Sequence, residues 1–311
     1  MSVAFVFPGQ GSQSSGMLHL LLNHPAVVRT LDEISEVLHE DVRNLDCQLC
    51  LNSDVSVQLA LFSAGVATAR ALMEQGVQPT AVAGLSVGAF AAAVVAGVLA
   101  LADGVELVRL RATKMVGLYP NGYGLSAIVG LDESQVTKIV QAATSDQAPV
   151  FVGNINAPRQ IVIAGSNVAM DQVLDEARRE GASKAVRLHV SVPSHCPLLQ
   201  PVADLLERRM SSMHLKAPKL IYVGNVTARP MRTKELIARD LANNIAHGVR
   251  WHDATTVLKE LGCNLFLEMP PGHILSDLAK ENLKGIDAVP VEAGVLTRVL
   301  RLTQQEERER D

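Results

Sequence analysis

AVAGLSVGAFAAAVVAGVLA, residues 81–100, is a stretch that fits two incompatible structures. No charged residue occurs from Gln75 through Ala102, and that length is sufficient for a membrane-spanning helix. The same stretch contains a G-x-S-x-G pattern at Gly84, Ser86 and Gly88. This pattern is typical of a strand that turns sharply into a helix and exposes a serine hydroxyl at the corner.

The composition of the stretch argues against a membrane span. It is mostly Ala, Gly and Val, with no Trp or Tyr at its ends and no Lys or Arg cluster beside it. It also divides into a short strand, TAVAGL (80–85), and an alanine-rich helix, AFAAAVVAGVLAL (89–101). The sequence therefore predicts a strand-turn-helix with Ser86 at the corner. By itself the pattern leaves open that Ser86 only caps the helix.

The whole chain has the composition of an ordinary globular protein. It has 311 residues, 48% hydrophobic and 19% charged, which allows one large domain with or without a smaller one. The net charge of −4 argues against a nucleic-acid partner. The start, MSVAFVFPGQGSQ, lacks the basic leader of a signal peptide. We therefore expect neither nucleic acid nor membrane as a partner.

The cysteines indicate a compartment. The chain has four of them, Cys47, Cys50, Cys196 and Cys263, and no second pair with zinc-site spacing follows the C-x-x-C of the first two. We expect four free thiols and no metal site. Free thiols are typical of a reducing compartment, so we expect a cytoplasmic protein.

The order of predicted elements defines an α/β protein with an insertion. Strands and helices alternate in the first and last thirds, with one helical stretch starting near Met17. Between them, residues 124–190 are predicted to follow the order β-α-β-β-α-β, which is the ferredoxin-like pattern. We therefore predict a small inserted domain at 124–190 and a discontinuous main domain at 1–123 and 191–311. The charged tail TQQEERERD (303–311) is predicted to be a solvated terminus.

Four further groups are candidates for chemistry with Ser86. A serine needs a base, and His195 lies in the proline-bounded loop VPSHCP, although a structural loop histidine remains the alternative. The backbone N–H of Val87 and one from the 9–11 loop are candidate oxyanion donors. Arg111, in the apolar stretch LVRLRAT, is costly to bury alone, so it meets either an internal carboxylate or an anionic substrate.

These motifs together resemble the malonyl-CoA:acyl-carrier-protein transacylase family. The resemblance covers nearly the whole chain and rests on the motifs that follow: FVFPGQGSQ (5–13), the G-x-S-x-G at Ser86, Arg111, NINAPRQIVIAG (154–165), SVPSHC (191–196), VRW (249–251) and FLEM (266–269). It implies an α/β-hydrolase-like core with a parallel sheet and a ferredoxin-like insert. It also implies an acyltransferase that uses no metal and binds no permanent cofactor.

The resemblance assigns a role to each candidate residue. Ser86 is the nucleophile that accepts the acyl group, and His195 is its general base. Arg111 binds the malonyl carboxylate, while Gln10 and Val87 give backbone N–H groups to the oxyanion hole. The donor is malonyl-CoA, and the acceptor is the phosphopantetheine-type arm of an acyl carrier protein.

The chain departs from the family pattern at three positions. The family usually has His before the serine and Glu after the second glycine, where this chain has Leu85 and Ala89. It usually has Gln where our alignment places Asn244, whose backbone carbonyl would orient His195.

The motif GLSVGAF (84–90) resembles one branch more closely, the epsilon subunit of malonate decarboxylase. That branch implies the carrier subunit of the decarboxylase as acceptor. The alternatives are a transacylase of fatty-acid or polyketide synthesis, a thioesterase-type hydrolase and a non-catalytic subunit that docks a carrier.

Overall fold

Two sheets contain the strands of residues 2–308, the part of the chain described by this computed structural model, in which side chains are described through Thr303. The strands are β1 (Ser2–Phe7), β2 (Ala81–Gly84), β3 (Tyr123–Val129), β4 (Val150–Ala157), β5 (Gln160–Ser166), β6 (Lys184–Arg187), β7 (Ile221–Val223), β8 (Pro230–Met231), β9 (Cys263–Glu268) and β10 (Asp287–Pro290). The helices are α1 (Pro25–Leu38), α2 (Asp54–Glu74), α3 (Gly88–Val95), α4 (Leu101–Leu118), α5 (Glu133–Ala143), α6 (Asn167–Arg179), α7 (Gln200–Ser211), α8 (Lys234–Asn243), α9 (Trp251–Glu260), α10 (Ile274–Asn282) and α11 (Leu296–Arg308). The chain thus has an α/β fold.

The larger sheet has the strand order β10-β9-β1-β2-β7-β8. Every neighbouring pair in it is parallel except β7 and β8, which are antiparallel. Parallel strands end on the same edge, so the loops after β1 and β2 lie side by side. The chain leaves β1 toward β2 and later adds β9 on its other side, and in open α/β sheets ligands bind at such a reversal of strand order.

Strand β1 shows why this sheet is covered on both faces. Its Val3, Phe5 and Phe7 pack into the apolar cluster that contains α2 and α3. Its Ala4 and Val6 pack on the opposite face. A parallel sheet needs both faces buried, and the near-continuous apolar sequence of β1 meets that need.

Residues 81–100 do not form one continuous helix. They contain β2, the turn at Leu85–Val87 and α3. In the described part of the chain one helix, α2, is long and apolar enough to cross a membrane, and 83% of its apolar window is buried inside the protein. The core helix of a globular protein passes the same test.

The smaller sheet has the strand order β4-β5-β3-β6, and each neighbouring pair is antiparallel. Its elements follow the chain order β3, α5, β4, β5, α6, β6. Backbone hydrogen bonds attach β4 to the main body: Ile155 N–H donates to the Val249 carbonyl at 2.8 Å, and Val249 N–H donates to the Gly153 carbonyl at 2.9 Å.

Several expectations need correction. The helix expected from about Met17 is only a short 3-10 turn, Met17–His19, and the regular helix α1 begins at Pro25, where proline occupies a first-turn position. The sequence also did not predict α10, β10 and α11. The tail is helical as far as Arg308, and residues 309–311 lie outside the described part. That the tail is solvated stays a prediction.

The expectation of four free thiols is also wrong. Cys47 and Cys50 form a disulfide. The short 3-10 turns in this segment bring the two side chains together, and Cys50 N–H donates to Cys47 Sγ at 3.1 Å. Cys196 is a buried thiol, and burial raises its pKa to about 12, so it is protonated at neutral pH.

Candidate active site

The turn between β2 and α3 presents Ser86 at a backbone angle that is rare outside glycine. Ser86 has φ +56°, in the left-handed region. The flanking glycines allow close packing around it. A Cβ on Gly84 would lie 2.1 Å from the Gly88 carbonyl carbon, and one on Gly88 would lie 2.3 Å from the Phe7 carbonyl oxygen. Gly84 is therefore required by close packing within the turn, and Gly88 by the packing of the turn against the end of β1.

His195 contacts Ser86 directly. Its Nε2 lies 2.8 Å from Ser86 Oγ, and its Nδ1 lies 2.6 Å from the backbone oxygen of Asn244. A carbonyl only accepts hydrogen bonds, so we assign the proton to Nδ1, which leaves Nε2 as the acceptor for the Ser86 hydroxyl. His195 N–H also donates to the Ile245 carbonyl at 2.7 Å, which fixes the loop against the end of α8.

The environment of His195 keeps its imidazole neutral. The side chain is buried, and its pKa falls from 6.5 to about 3. Burial is the largest cause and the positive charge of Arg111 the second, while the hydrogen bond to the Asn244 carbonyl opposes the shift. A neutral imidazole is the form that removes a proton. His195 therefore has both the geometry and the protonation state of a general base toward Ser86.

Arg111 is a buried cation beside the serine. Its guanidinium donates to Ser86 Oγ at 3.0 Å and to Gln58 Oε1 at 2.5 Å, and it is 1% exposed. Its Nε has no partner, and the partners of its other nitrogens are these two uncharged oxygens, with no ion pair to a described carboxylate. Burial lowers its pKa to about 9, although the negative charge of Asp54 opposes the shift, so Arg111 is still charged at neutral pH. Among the described residues no carboxylate is therefore in direct contact with Arg111, although Asp54 acts on it through its charge.

Within the described part of the chain, two residues that line the cleft have backbone N–H groups without a hydrogen bond. Gln10 and Val87 both line the cleft, and neither N–H meets an acceptor among the described residues. The Gln10 side chain is turned away toward Asp54, whose carboxylate also accepts from Ser191 at 2.8 Å. The side-chain amide of Gln10 is thus already engaged, whereas its backbone N–H is free of a partner among the described residues.

These groups line one cleft of about 460 Å³ between the two sheets. The main body contributes the loops after β1 and β2, Arg111 and His195, and the small sheet forms the opposite wall. That wall is partly polar, since it includes Asn154 and Asn156, whose Oδ1 atoms have no partner. In the described residues no cluster of His, Cys, Asp or Glu is arranged to bind a metal ion.

The three residues that depart from the family pattern lie in different environments. Leu85 is half-buried and lines the cleft, whereas Ala89 is buried in the core on α3. Asn244 is fully buried, and its backbone oxygen contacts His195 whatever the side chain is. Its side-chain Nδ2 lies 3.4 Å from the Ser86 carbonyl, at the outer limit of a hydrogen bond.

Sequence reasoning missed three residues that support the site. They are Gln58, which contacts Arg111, Asp54, which holds Gln10, and Asn225, whose side chain contacts the Ser86 turn. Gln58 gave a signal, because it is a polar residue within the apolar α2. Asn225 lies just after β7, at the edge where the parallel strands end, and functional side chains concentrate there.

The arrangement is that of an enzyme class. A serine at a strained strand-helix turn, a neutral histidine oriented by a carbonyl and free backbone N–H donors are the parts that nucleophilic acyl transfer requires. Consistent with this class, the acyl transferase domain family model matches residues 4–306. The chain belongs to this family and is an acyltransferase.

Similar proteins share both the sequence and the fold. The malonyl CoA-acyl carrier protein transacylase of Salmonella typhimurium is 37% identical over 283 residues, which cover 89% of this chain and 91% of that protein. The acyl-carrier-protein S-malonyltransferase structure from Burkholderia pseudomallei has a TM-score of 0.92 at 35% identity and covers 97% of this chain and 100% of its own. A malonyl-transacylase solved in complex with its type II polyketide acyl carrier protein has a TM-score of 0.90 at 34% identity, with 95% and 97% coverage.

Proposed function

We propose that this acyltransferase moves malonyl from malonyl-CoA, through an ester on Ser86, to the thiol arm of an acyl carrier protein. The observation that carries the proposal is the state of Arg111. It is buried and charged, it contacts Ser86, and it has no carboxylate partner among the described residues. A planar guanidinium binds a carboxylate through two parallel hydrogen bonds, and malonyl presents a carboxylate one carbon beyond its thioester carbonyl.

The proposed cycle has two half-reactions. His195 Nε2 takes the Ser86 proton while Oγ attacks the thioester carbonyl, and the oxyanion is bound by the N–H groups of Gln10 and Val87. The C–S bond then breaks, and the protonated His195 gives its proton to the departing CoA thiolate. In the second half-reaction the carrier thiol loses its proton to His195 and attacks the ester, and Ser86 Oγ leaves with that proton.

For the acceptor we propose a carrier of fatty-acid or polyketide synthesis. The similar proteins described above are named as acyl-carrier-protein transacylases, and this supports the general transacylase over the malonate decarboxylase subunit. The motif GLSVGAF is what favours the decarboxylase branch. The structure places its two unusual residues differently, since Leu85 lines the cleft and Ala89 does not.

The proposal includes the finer description of the fold. An antiparallel sheet with the order β4-β5-β3-β6 and two helices supports a ferredoxin-like insert at about 124–190. The parallel sheet with a serine turn after β2 supports an α/β-hydrolase-like main domain from 1–123 and 191–311. We also propose a cytoplasmic location, where the donor and the carrier would be available. The inference from free thiols to a reducing compartment no longer includes Cys47 and Cys50, because they form a disulfide.

The test is intact-mass measurement of a malonyl adduct. Wild-type protein mixed with malonyl-CoA and quenched should gain one malonyl group, and Ser86→Ala should gain none because the accepting oxygen is gone. Ser211→Ala, which removes an exposed hydroxyl on α7, is the control and should label like wild type. Full labelling of Ser86→Ala would remove Ser86 as the nucleophile.

Adding an acceptor to the labelled protein separates the alternatives. Malonyl on a fatty-acid or polyketide carrier supports the proposal, and transfer only to the decarboxylase carrier subunit would favour that branch. Release of free malonate without transfer would indicate a hydrolase. Absence of any adduct on wild-type protein would leave a docking subunit as the better interpretation.

A further inference from the structure

Asn225 binds the backbone on both sides of Leu85, next to the reactive serine. It lies in the loop after β7 and is 2% exposed. Its Nδ2 donates to the Gly84 carbonyl at 2.8 Å, and its Oδ1 accepts from Ser86 N–H at 2.9 Å. The side-chain amide thus makes the pair of hydrogen bonds that a neighbouring strand would make.

The turn needs such a partner because the sheet ends just before it. The ladder between β2 and β7 stops at the pair Ala83 and Val223, so no strand pairs with the next residues on that side. Ser86 has a left-handed backbone angle that a residue with a side chain rarely adopts. Such a conformation persists only where surrounding contacts fix it.

The buried carboxylate of Asp240 fixes Asn225 in turn. Asp240, on α8, accepts from Asn225 N–H at 3.0 Å, from Val226 N–H at 3.0 Å and from the Tyr222 hydroxyl at 3.3 Å. It is 4% exposed, and the mechanism proposed above does not use it. The loop approaches so closely that a Cβ on Gly224 would lie 2.9 Å from Asp240 Oδ1.

The same helix also positions the base. Asn244 follows the last residue of α8, its N–H donates to the Asp240 carbonyl at 2.8 Å, and its own carbonyl accepts from His195. One end of α8 therefore reaches the serine through Asp240 and Asn225, and it reaches the histidine through Asn244.

We propose that Asn225, held by Asp240, is a positioning residue that fixes the Ser86 backbone for attack on the thioester. The inference rests on the proposed role of Ser86 as nucleophile. Asn225 does not touch the acyl group in this arrangement; it sets the direction of Ser86 Oγ toward His195 and of the Val87 N–H toward the oxyanion.

The experiment compares Asn225→Ala and Asn225→Asp with wild type by single-turnover acylation over a range of malonyl-CoA concentrations. Asn225→Ala should lower the maximal acylation rate about 10²-fold without changing the half-saturating concentration, because Arg111 and the cleft are intact. Asn225→Asp can still accept from Ser86 N–H but cannot donate to the Gly84 carbonyl. Its maximal acylation rate should therefore fall between those of wild type and Asn225→Ala. Asn282→Ala, which removes an amide bonded to its own helix, is the control and should acylate like wild type.

Thermal melts of each variant accompany the kinetics. Wild-type rates in folded Asn225→Ala or Asn225→Asp, or a rate loss that comes with an equal rise in half-saturating concentration, overturn the inference. If Asn225→Ala is unfolded at the assay temperature, Asn225→Asp decides; unfolding of both overturns the positioning role in favour of a purely structural one. Failure of the wild-type protein to form any adduct is a separate result, which ends the proposed function first.

Discussion

Arg111 and Asp240 are both buried ionisable side chains, but they differ in how many hydrogen-bond partners the protein gives them. Both side chains are almost completely buried, and burial shifts both pKa values toward the neutral form: that of Arg111 falls to about 9 and that of Asp240 rises. Asp240 has N–H and O–H donors from the protein on its carboxylate, which oppose the shift. In the described part of the chain, Arg111 has hydrogen bonds only to the Gln58 amide oxygen and the Ser86 hydroxyl, and its Nε is unpaired. The charge of Asp54 opposes the shift in the Arg111 pKa, but its carboxylate makes no hydrogen bond to the guanidinium.

This difference in hydrogen bonding distinguishes a buried charge that stabilises the fold from one that is available to bind a ligand. A charge that the protein itself satisfies stabilises one arrangement of the chain, as Asp240 does for the loop after β7. A charge that the protein leaves unsatisfied destabilises the empty site, and an anionic ligand recovers that cost. Such groups occur where a substrate completes the hydrogen bonding.

The largest expected effect concerns His195, which lies between the two regions. Its Nδ1 is bound at the end of the helix that carries Asp240, and its pKa is lowered in part by Arg111. His195→Ala should lower the malonyl transfer rate about 10²-fold or more, because Ser86 loses its base. Steady-state transfer to a carrier protein measures this.

The matched control for that variant is His247→Ala. His247 Nδ1 also contacts a carbonyl, that of Asn243 at 3.1 Å, but the side chain is exposed and has no serine beside it. The His247→Ala variant should therefore transfer malonyl at the wild-type rate. A near-normal rate in His195→Ala itself would mean that another group removes the proton.

The second prediction tests the unsatisfied charge. Arg111→Ala should lower malonyl transfer by roughly 10- to 10²-fold, the value of losing charge-assisted hydrogen bonds, and should lower acetyl transfer much less because acetyl has no carboxylate. The ratio of the two kcat/KM values measures this. Arg109→Ala, on the exposed side of the same helix, is the control. Equal losses for both acyl groups would show that Arg111 has no carboxylate role.

The two regions also differed in how far the sequence revealed them. Ser86, His195 and Arg111 lie in short motifs with a chemical reason for each residue, so their proximity was predictable once a strand-helix turn was assumed. Asp240 gave no such signal, because an Asp within the amphipathic stretch TKELIARDLANNIA looks like any exposed residue of a surface helix. Its burial depends on β7 and Gly224, which are close only in the fold.

The fold, like the site, was predictable from the sequence in some parts and not in others. Helical spacing of apolar residues predicts a helix from about Ser53 to Gln75, and α2 is found at Asp54–Glu74. The short 3-10 turns near Met17 and Cys47 were not predicted, since proline and cap geometry decide them locally. Strand order was also out of reach of periodicity, because it depends on pairing between distant segments such as β1 and β9.

The third prediction is for stability. Asp240→Leu should lower the free energy of unfolding by about 3 kcal/mol, because it leaves buried N–H and O–H donors without an acceptor. Arg111→Leu should leave stability unchanged or raise it, since it removes a buried charge without a counter-ion. Urea unfolding of both variants and wild type measures this. A destabilisation by Arg111→Leu as large as that by Asp240→Leu would erase the distinction between the regions.

The last prediction is a shift in a pH profile. The folded pKa of His195 is lowered from 6.5 to about 3, so the imidazole stays unprotonated as the pH falls through 6.5, and the acid limb of kcat/KM should lie below about pH 5. Acetyl-CoA is the donor of choice, because it has no carboxylate of its own to titrate. The charge of Arg111 is one cause of the lowering, so Arg111→Ala should raise the His195 pKa and move the limb upward.

The size of that shift separates the contribution of burial to the His195 pKa from the contribution of the Arg111 charge. Burial is the larger cause and persists in the variant, so the limb should stay below 6.5 even without the guanidinium. The same lowered pKa makes the folded state bind fewer protons than the unfolded chain between about 3 and 6.5, so this histidine lowers stability as the pH falls through that window. A wild-type limb near 6.5, or a limb that does not move in Arg111→Ala, would show that the buried cation does not act on the base.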